Sequence, residues 1–520
     1  MELEFFASCL PGLEQTLAQE LKSFGIERVR PLGGGAAFFC EADAALRACL
    51  WSRLASRIML VVGRVNAGDA ELLYAGVYDI AWEDVLADGA TMAVRAHGAN
   101  DELRNTRFTA LKVKDAIADR MRAQRGVRPE VDTVAPRASV DVRIRDRRAT
   151  VSLDFSGEAL SRRAYLASDD KEDAALACSL AAGALALGGW DELVRKGAFF
   201  VDPACSDGIV LVEAALMACD GAPGLLRKKW GFQGWVNYED DVWQKLHAEA
   251  CERFAAGLAR LGATPPDRIA ESELIKQPLP DPDRIHFLGT TTSSPLITRA
   301  RNHVRHAGLR SVVSVEQASA ADIAQVVGEH KALSRAHVQM VASNLDALSR
   351  ADAPALVQAD EAAFAAAAAL AREGSRYVAI GAQDVASRFG AEPLMRQSVG
   401  VVSRCLSRCS TCAPPVCGSS RFPICRAAHR RASRCSKRHP SSLQLVCARC
   451  SRSAANGPSA KAYRATASMT LICRTMLWPL TGIPVQAMRA VTITCISRNT
   501  HLPHRSTPTR RAAVSKTCSR

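Results

Sequence analysis

The sequence predicts an α/β fold whose second part is a doubly wound, mostly parallel sheet. Three observations carry that expectation. From Ala174 onward, short apolar runs alternate with helical stretches, the grammar of strand–helix–strand units. Before that point, shorter strand-like runs interleave with fewer helices, which argues smaller α/β units near the N-terminus. Finally, all 53 acidic residues lie in the first 392 positions, whereas residues 393–520 hold 22 Lys and Arg, 11 of the 18 cysteines and no acid. The formal charge of +14 therefore joins a body of −8 to a tail of +22.

The elements follow in order. Glu2 to Phe6 reads as a strand, and Leu13, Leu17, Leu21 and Phe24 mark a helix over residues 11–24. Ala36 to Cys40 is an apolar strand after three glycines, and Arg57 to Val65 is another. Met92 to Arg95 is strand-like, Thr109 to Arg122 helical, and Ser139–Ile144 with Ala149–Phe155 form a hairpin around Arg145-Asp146-Arg147-Arg148. Helix 174–187 leads to the strand Ala198–Val201, and Ile209–Cys219 is helical. Further strands are expected at Ile285–Leu288, Val338–Ala342 and Tyr377–Gly381, with helices at Ile297–Ala307 and, from its alanines, Ala351–Ala371.

The totals narrow the class. No run of about 20 uncharged apolar residues appears, which argues against a membrane span, and Met1-Glu2-Leu3-Glu4 does not open a signal peptide. The seven body cysteines are scattered, as reduced cytoplasmic thiols are.

The most informative local motif is Asp202-Pro203-Ala204-Cys205-Ser206-Asp207-Gly208, set between a strand and a helix. A ligand at such a junction sits at the carboxyl end of the strand and near the helix N-terminus. A single-glycine turn of this kind is common, so the motif alone is weak evidence.

Longer segments add to it: Trp51-Ser52-Arg53-Leu54-Ala55-Ser56-Arg57-Ile58-Met59-Leu60, Asn100-Asp101-Glu102-Leu103-Arg104-Asn105, Lys112-Val113-Lys114-Asp115-Ala116-Ile117, Ala222-Pro223-Gly224-Leu225 and Trp230-Gly231-Phe232-Gln233-Gly234-Trp235. On these the chain resembles, over residues 1–392, the bacterial bifunctional large-subunit ribosomal RNA guanine-N2 methyltransferases of the K/L type. The resemblance implies a ferredoxin-like unit at 1–54, a THUMP RNA-binding domain at 55–160 and a Rossmann-like methyltransferase domain at 165–392. It further implies S-adenosylmethionine as cofactor, large-subunit ribosomal RNA as partner and the cytoplasm as location. The reaction sets a sulfonium methyl in line with an exocyclic amine, so positioning carries most of the catalysis.

Residue by residue, the resemblance places the cofactor on Asp202, Pro203, Cys205, Ser206 and Gly208, with Thr291 where the family carries a ribose-binding acid, and catalysis on Asn344. The chain departs from the family at Ser206 (a glycine there), at Asp207 (a serine), at Thr291, and at Leu345-Asp346-Ala347 where Pro-Pro-Tyr is expected. A threonine hydroxyl cannot hold two ribose hydroxyls as a carboxylate does. A non-catalytic RNA-binding remnant is therefore the alternative reading.

Residues 95–165 hold 16 Lys and Arg against 10 acids, a local excess within an acidic body. With the THUMP resemblance, Arg104, Arg107, Lys112 and Lys114 are the expected RNA contacts. Trp230, Phe232 and Trp235 read as core aromatics rather than a base-stacking platform.

The tail reads in two ways. Cys409/Cys412 and Cys447/Cys450 are CxxC pairs, but 34 residues separate them and apolar periodicity is absent, so no metal is expected. Alternatively, 393–520 is an out-of-frame translation beginning near residue 395. The codons open to Lys461–Thr481, shifted by one base, can spell Gly-Ile-Pro-Cys-Tyr-Arg-Val-Tyr-Asp-Ala-Asp-Leu-Pro-Asp-Tyr-Ala-Val-Ala-Val-Asp, the text the resembled family carries in its second half. Such a tail is expected to be largely disordered, and truncation at Glu392 to leave a more soluble protein that binds RNA as well.

Overall fold

The computed structural model describes residues 2–166, 172–330, 333, 339–344, 376–381, 395–399 and 491–497. The expected helix Ala351–Ala371 and the tail CxxC pairs lie outside them.

The N-terminal part runs β1 (Leu3–Ser8), α1 (Glu14–Ser23), β2 (Arg28–Leu32), β3 (Gly35–Cys40), α2 (Ala42–Trp51), β4 (Arg57–Asn66), α3 (Ala70–Tyr78), β5 (Met92–His97), α4 (Thr106–Arg125), β6 (Ala138–Arg145) and β7 (Arg148–Asp154). Its strands form one seven-stranded sheet in the order β2-β3-β1-β4-β7-β6-β5. β4 pairs with β1 on one side and β7 on the other, both antiparallel, so the two expected N-terminal units share a continuous sheet. Helix α1 starts later than its periodicity suggests because Pro11-Gly12 turns the chain, with Gly12 at φ +96°. Side-chain caps set α3 and α4. Asp69 accepts from the Leu72 amide, and Asn105 accepts from the Arg107 and Phe108 amides.

The second part continues α5 (Glu172–Leu187), α6 (Trp190–Arg195), β8 (Phe199–Asp202), α7 (Ile209–Ala218), α8 (Asp240–Arg260), α9 (Glu271–Leu274), β9 (Phe287–Thr291), α10 (Ser294–His306), β10 (Val313–Gln317), α11 (Ile323–Glu329), β11 (Gln339–Asn344), β12 (Arg376–Gly381), β13 (Met395–Val399) and β14 (Val491–Ser497). The sheet order is β10-β9-β8-β11-β12-β14-β13. β10 through β12 are parallel, and β14 joins β12 and β13 antiparallel. The doubly wound expectation is met. β14 is a strand in the tail that the sequence did not suggest. β9 runs to Thr291, beyond the apolar run that announced it, and α10 begins earlier than expected because Pro295 is tolerated in a first turn.

A large apolar core runs through both sheets, and a second, smaller cluster gathers Val201, Ile285, Leu288, Ile323 and Val327 around β8, β9 and α11. Trp230, Phe232, Trp235 and Trp243 are buried in it, and Phe155 meets Phe232 and Trp235 edge-on or tilted, which bears out their core reading. Ion pairs reinforce the join between the halves. Arg47 of α2 grips Glu249 of α8 with two hydrogen bonds of 2.8 and 2.7 Å. Arg253 holds Asp220 the same way and lies 3.8 Å over the Trp51 ring.

Candidate functional site

The first site is the turn from β8 into α7. β8 is flanked by β9 and β11, all parallel, so the carboxyl ends of three strands meet at one edge. The loop Asp202–Gly208 leaves that edge and is fastened to β9: the Cys205 amide donates to the Thr290 carbonyl at 3.0 Å, and the Thr290 hydroxyl donates to the Pro203 carbonyl at 3.3 Å. Gly208, at φ +80°, caps α7. A Cβ there would stand 2.9 Å from the Cβ of Ala300 on α10, so glycine is required for packing as well as for φ. His303 of α10 donates from Nδ1 to the Asp207 carbonyl at 2.9 Å. Ser206 keeps the left-handed conformation a glycine would adopt, at φ +48°, although it carries a side chain.

Asp202 is fully buried at the end of β8. One carboxylate oxygen accepts from the Ala204 amide at 3.1 Å; the other, Oδ2, has no hydrogen-bond partner among the described residues. Burial, opposed by the Ala204 bond and helped by Asp207, pushes its carboxyl up to about 8. Burial first, then Asp202 and Asp207, push the Cys205 thiol up as well, so this cysteine stays protonated at neutral pH and is not a nucleophile.

The remaining expected residues fall at the same edge. Thr291 ends β9, with its hydroxyl 3.4 Å from the Ser293 amide, and is paired in register with Gln317 of β10. Asn344 ends β11, the strand beside β8, where Val341 is registered with Val201. The backbone thus places Asp202, Ser206, Thr291 and Asn344 at one edge of the sheet. The orphaned Asp202 oxygen, the turn held in a glycine-like conformation, and Gly289, whose Cβ would lie 2.9 Å from the Cys205 sulfur, fit a cofactor laid against this loop. At the end of β9, Thr291 offers a hydroxyl and not a carboxylate. Ala300 and His303 were beyond sequence reasoning, because they reach the loop from 92 and 96 residues away.

The second set of expected residues lies on and before α4. Asn100 ties its entry loop down: its amide donates to the carbonyls of Ala67 at 2.6 Å and Asp146 at 2.8 Å, and its Oδ1 accepts from the Leu103 amide at 2.7 Å. The four basic residues are not equivalent. Lys112 is bound to Glu71 at 2.8 Å and sits 5.0 Å over the Tyr74 ring. Lys114 is bound to Asp115 at 2.7 Å. Arg104 donates to the Asp101 carbonyl, and Arg107 is exposed with no side-chain partner among the described residues. The two arginines, not the lysines, present charge available to an anion.

Among the described residues no cluster of three or more His, Cys, Asp or Glu could hold a metal, and no helix is long and apolar enough to cross a membrane.

Comparison with known proteins gives three successive matches: the RlmL ferredoxin-like domain over residues 4–59, the THUMP domain over 67–154 and the RMKL-like methyltransferase domain over 167–387. The ribosomal RNA large subunit methyltransferase K/L of Ectopseudomonas mendocina is 38% identical over 314 residues, 60% of this chain and 40% of that protein. Its Pseudomonas aeruginosa counterpart is 43% identical over 257 residues, 49% and 35% of the two chains. The chain thus spans about two-fifths of the length of the curated relatives it matches. Among solved structures, a predicted N6-adenine-specific DNA methylase from Listeria monocytogenes superposes with a TM-score of 0.60 at 21% identity, covering 76% of this chain and 93% of that one. SMU.472, solved in complex with SAH, gives a TM-score of 0.60 at 21% identity, covering 76% and 94%. These two share the fold.

Proposed function

We propose, for a chain whose residues 4–387 carry in order the domain array of the K/L ribosomal RNA methyltransferases, that it methylates the N2 amine of a guanine in large-subunit ribosomal RNA. One observation supports this most: the strand-end loop at Asp202, built with a buried, half-satisfied carboxyl and a left-handed Ser206, at the edge where β11 delivers Asn344. S-adenosylmethionine, when bound, supplies an electrophilic methyl. The chain's own part is to hold and align. Asp202 and the loop backbone fix the cofactor's polar end, Thr291 contacts the ribose side, and Asn344 accepts a hydrogen bond from the exocyclic amine. That bond aims the amine's lone pair along the line of displacement, where misplacement by an ångström is costly. The amine's surplus proton passes to solvent. The base is turned out of its stack to enter the crevice. Arg104 and Arg107 hold the RNA from the N-terminal half, and the cytoplasm is the place of action.

A second reading has its own support. The strained serine at 206 and the absent acid at 291 weaken the cofactor's hold, which suits an RNA-binding remnant of this family. Two measurements on the full chain decide between them: calorimetric titration with S-adenosylmethionine, and transfer of labelled methyl to unmodified large-subunit RNA. Heat on titration and guanine-N2 label support the enzyme. RNA binding with no heat at millimolar cofactor leaves the remnant.

A further inference from the structure

The stretch from Arg284 to Val315 contains five arginines, three histidines and no Asp or Glu, inside a body whose net charge is negative. Most of these residues belong to α10 or border it. The helix buries Ile297, Ala300, His303 and Val304, and exposes Thr298, Arg299, Arg301, Asn302 and Arg305.

The contrast with α4 is electrostatic. On α4, Lys112, Lys114, Arg120, Arg122 and Arg125 each meet a carboxylate. On α10, Arg301 and Arg305 have no carboxylate partner among the described residues. Arg301 donates twice to the Val315 carbonyl, at 3.1 and 2.7 Å, and Arg305 lies 3.5 Å from the His306 ring. The neighbouring acid, Glu316, is engaged by His330 at 2.7 Å and by the Ser314 hydroxyl at 2.9 Å. Favourable interaction with the helix dipole accounts for basic residues in the last turn, hence for Arg305, but not for Arg301.

Position adds to charge. α10 follows the end of β9 at Thr291, and its buried face touches the cofactor loop through Ala300 against Gly208 and His303 against the Asp207 carbonyl. A helix of 13 residues is roughly 20 Å long and returns from the strand-end edge toward the start of β10, so Arg301 stands along its middle and Arg305 in its last turn.

We propose that the exposed face of α10 binds the phosphates of the RNA strand flanking the nucleotide presented to the crevice, with Arg301 and Arg305 as the principal contacts. This rests on the methyltransferase reading above for the identity of the polyanion. Arginine suits the role, since its planar fork meets phosphate oxygens two at a time.

The test uses the full chain and a labelled short stem-loop RNA with an unpaired guanine, titrated at several salt concentrations. Arg301→Gln with Arg305→Gln is expected to lower the slope of log affinity against log salt by roughly 1.4, two phosphates at about 0.7 each. Affinity at low salt is expected to fall on the order of tenfold, with melting temperature and S-adenosylmethionine titration unchanged. Arg301→Lys with Arg305→Lys is expected to recover most of the slope. If the Arg301 change disturbs the Val315 contact and lowers stability, Arg305→Gln alone, with an expected slope loss of about 0.7, decides. An unchanged slope in the glutamine variants, or equal loss in the lysine variant, overturns the proposal while wild-type RNA binding keeps the broader reading intact. Displacement of the RNA by poly-glutamate at equal charge concentration also overturns it, marking a nonspecific anion surface. Wild-type protein that binds no RNA overturns both.

Discussion

Arg163 and Glu213 form an ion pair from which solvent is excluded, with Nε 3.0 Å from Oε1 and side chains 1% and 0% exposed. Glu213 also accepts from the Tyr165 hydroxyl at 3.0 Å, while Arg163 donates to the carbonyls of Leu160 and Arg53. The pair joins the segment leaving the N-terminal sheet to the middle of α7, the helix that begins at the Asp202–Gly208 loop.

Removing one partner strands the other charge in the interior. Glu213→Gln is expected to destabilise the protein by about 3–5 kcal/mol, seen as a lower urea midpoint. Glu213→Leu combined with Arg163→Met is expected to cost less than Glu213→Leu alone, because Arg163 is then not stranded, while Arg53, 3.9 Å from Glu213, still loses that carboxylate.

Asp202 gives a pH signature. Its carboxyl is raised from 3.8 to about 8 by burial, so the folded protein holds a proton that the unfolded chain releases. The stability associated with that proton is complete below about pH 4 and is lost as pH rises toward 8. Asp202→Asn is therefore expected to raise the urea midpoint more at pH 8 than at pH 4.5, and equal gains at both would contradict the assignment.

Ser206 holds φ +48° at 6% exposure. Ser206→Gly removes the Cβ clash of that conformation, and the gain exceeds the added chain entropy by up to about 1 kcal/mol. The variant should melt higher, and S-adenosylmethionine should raise its melting temperature further than it raises that of the wild type.

The two kinds of base on α4 should separate in RNA binding. Arg107→Ala is expected to weaken affinity several-fold at low salt, as loss of one phosphate contact does. Lys112→Ala should change it little, because Glu71 already answers that charge. Fluorescence anisotropy at two salt concentrations checks both.

The tail bears on solubility in a sense opposite to that read from composition alone. Six residues of β12 pair with β14, Arg376 with Ser497 through Gly381 with Thr492. Truncation after Glu392 deletes β13 and β14 and bares the β12 edge. Light scattering is expected to show the shortened protein associating more than the full chain.

What was legible in the sequence was local. Periodicity found α1, α4 and β8, and the Asp202–Gly208 turn stood out because proline, glycine and a caps-type aspartate cluster between apolar runs. That three parallel strands end beside this turn followed from the alternation around it. What escaped was made by contacts across long separations. Nothing near Gly208 announces Ala300, and nothing near Asn100 announces that Ala67 and Asp146 take its amide protons. The pairing that disarms Lys112 and Lys114 depends on where α3 lies and on a rotamer, neither of which the spacing of basic residues encodes. β14 escaped because its ladder partner is more than a hundred residues upstream.

β4 is stitched to β1 along one side and to β7 along the other. No cut through it yields two finished pieces: either fragment would carry a raw margin of backbone amides and carbonyls. The two N-terminal portions therefore stand or fall together, and a chimera joined between them is expected to misfold.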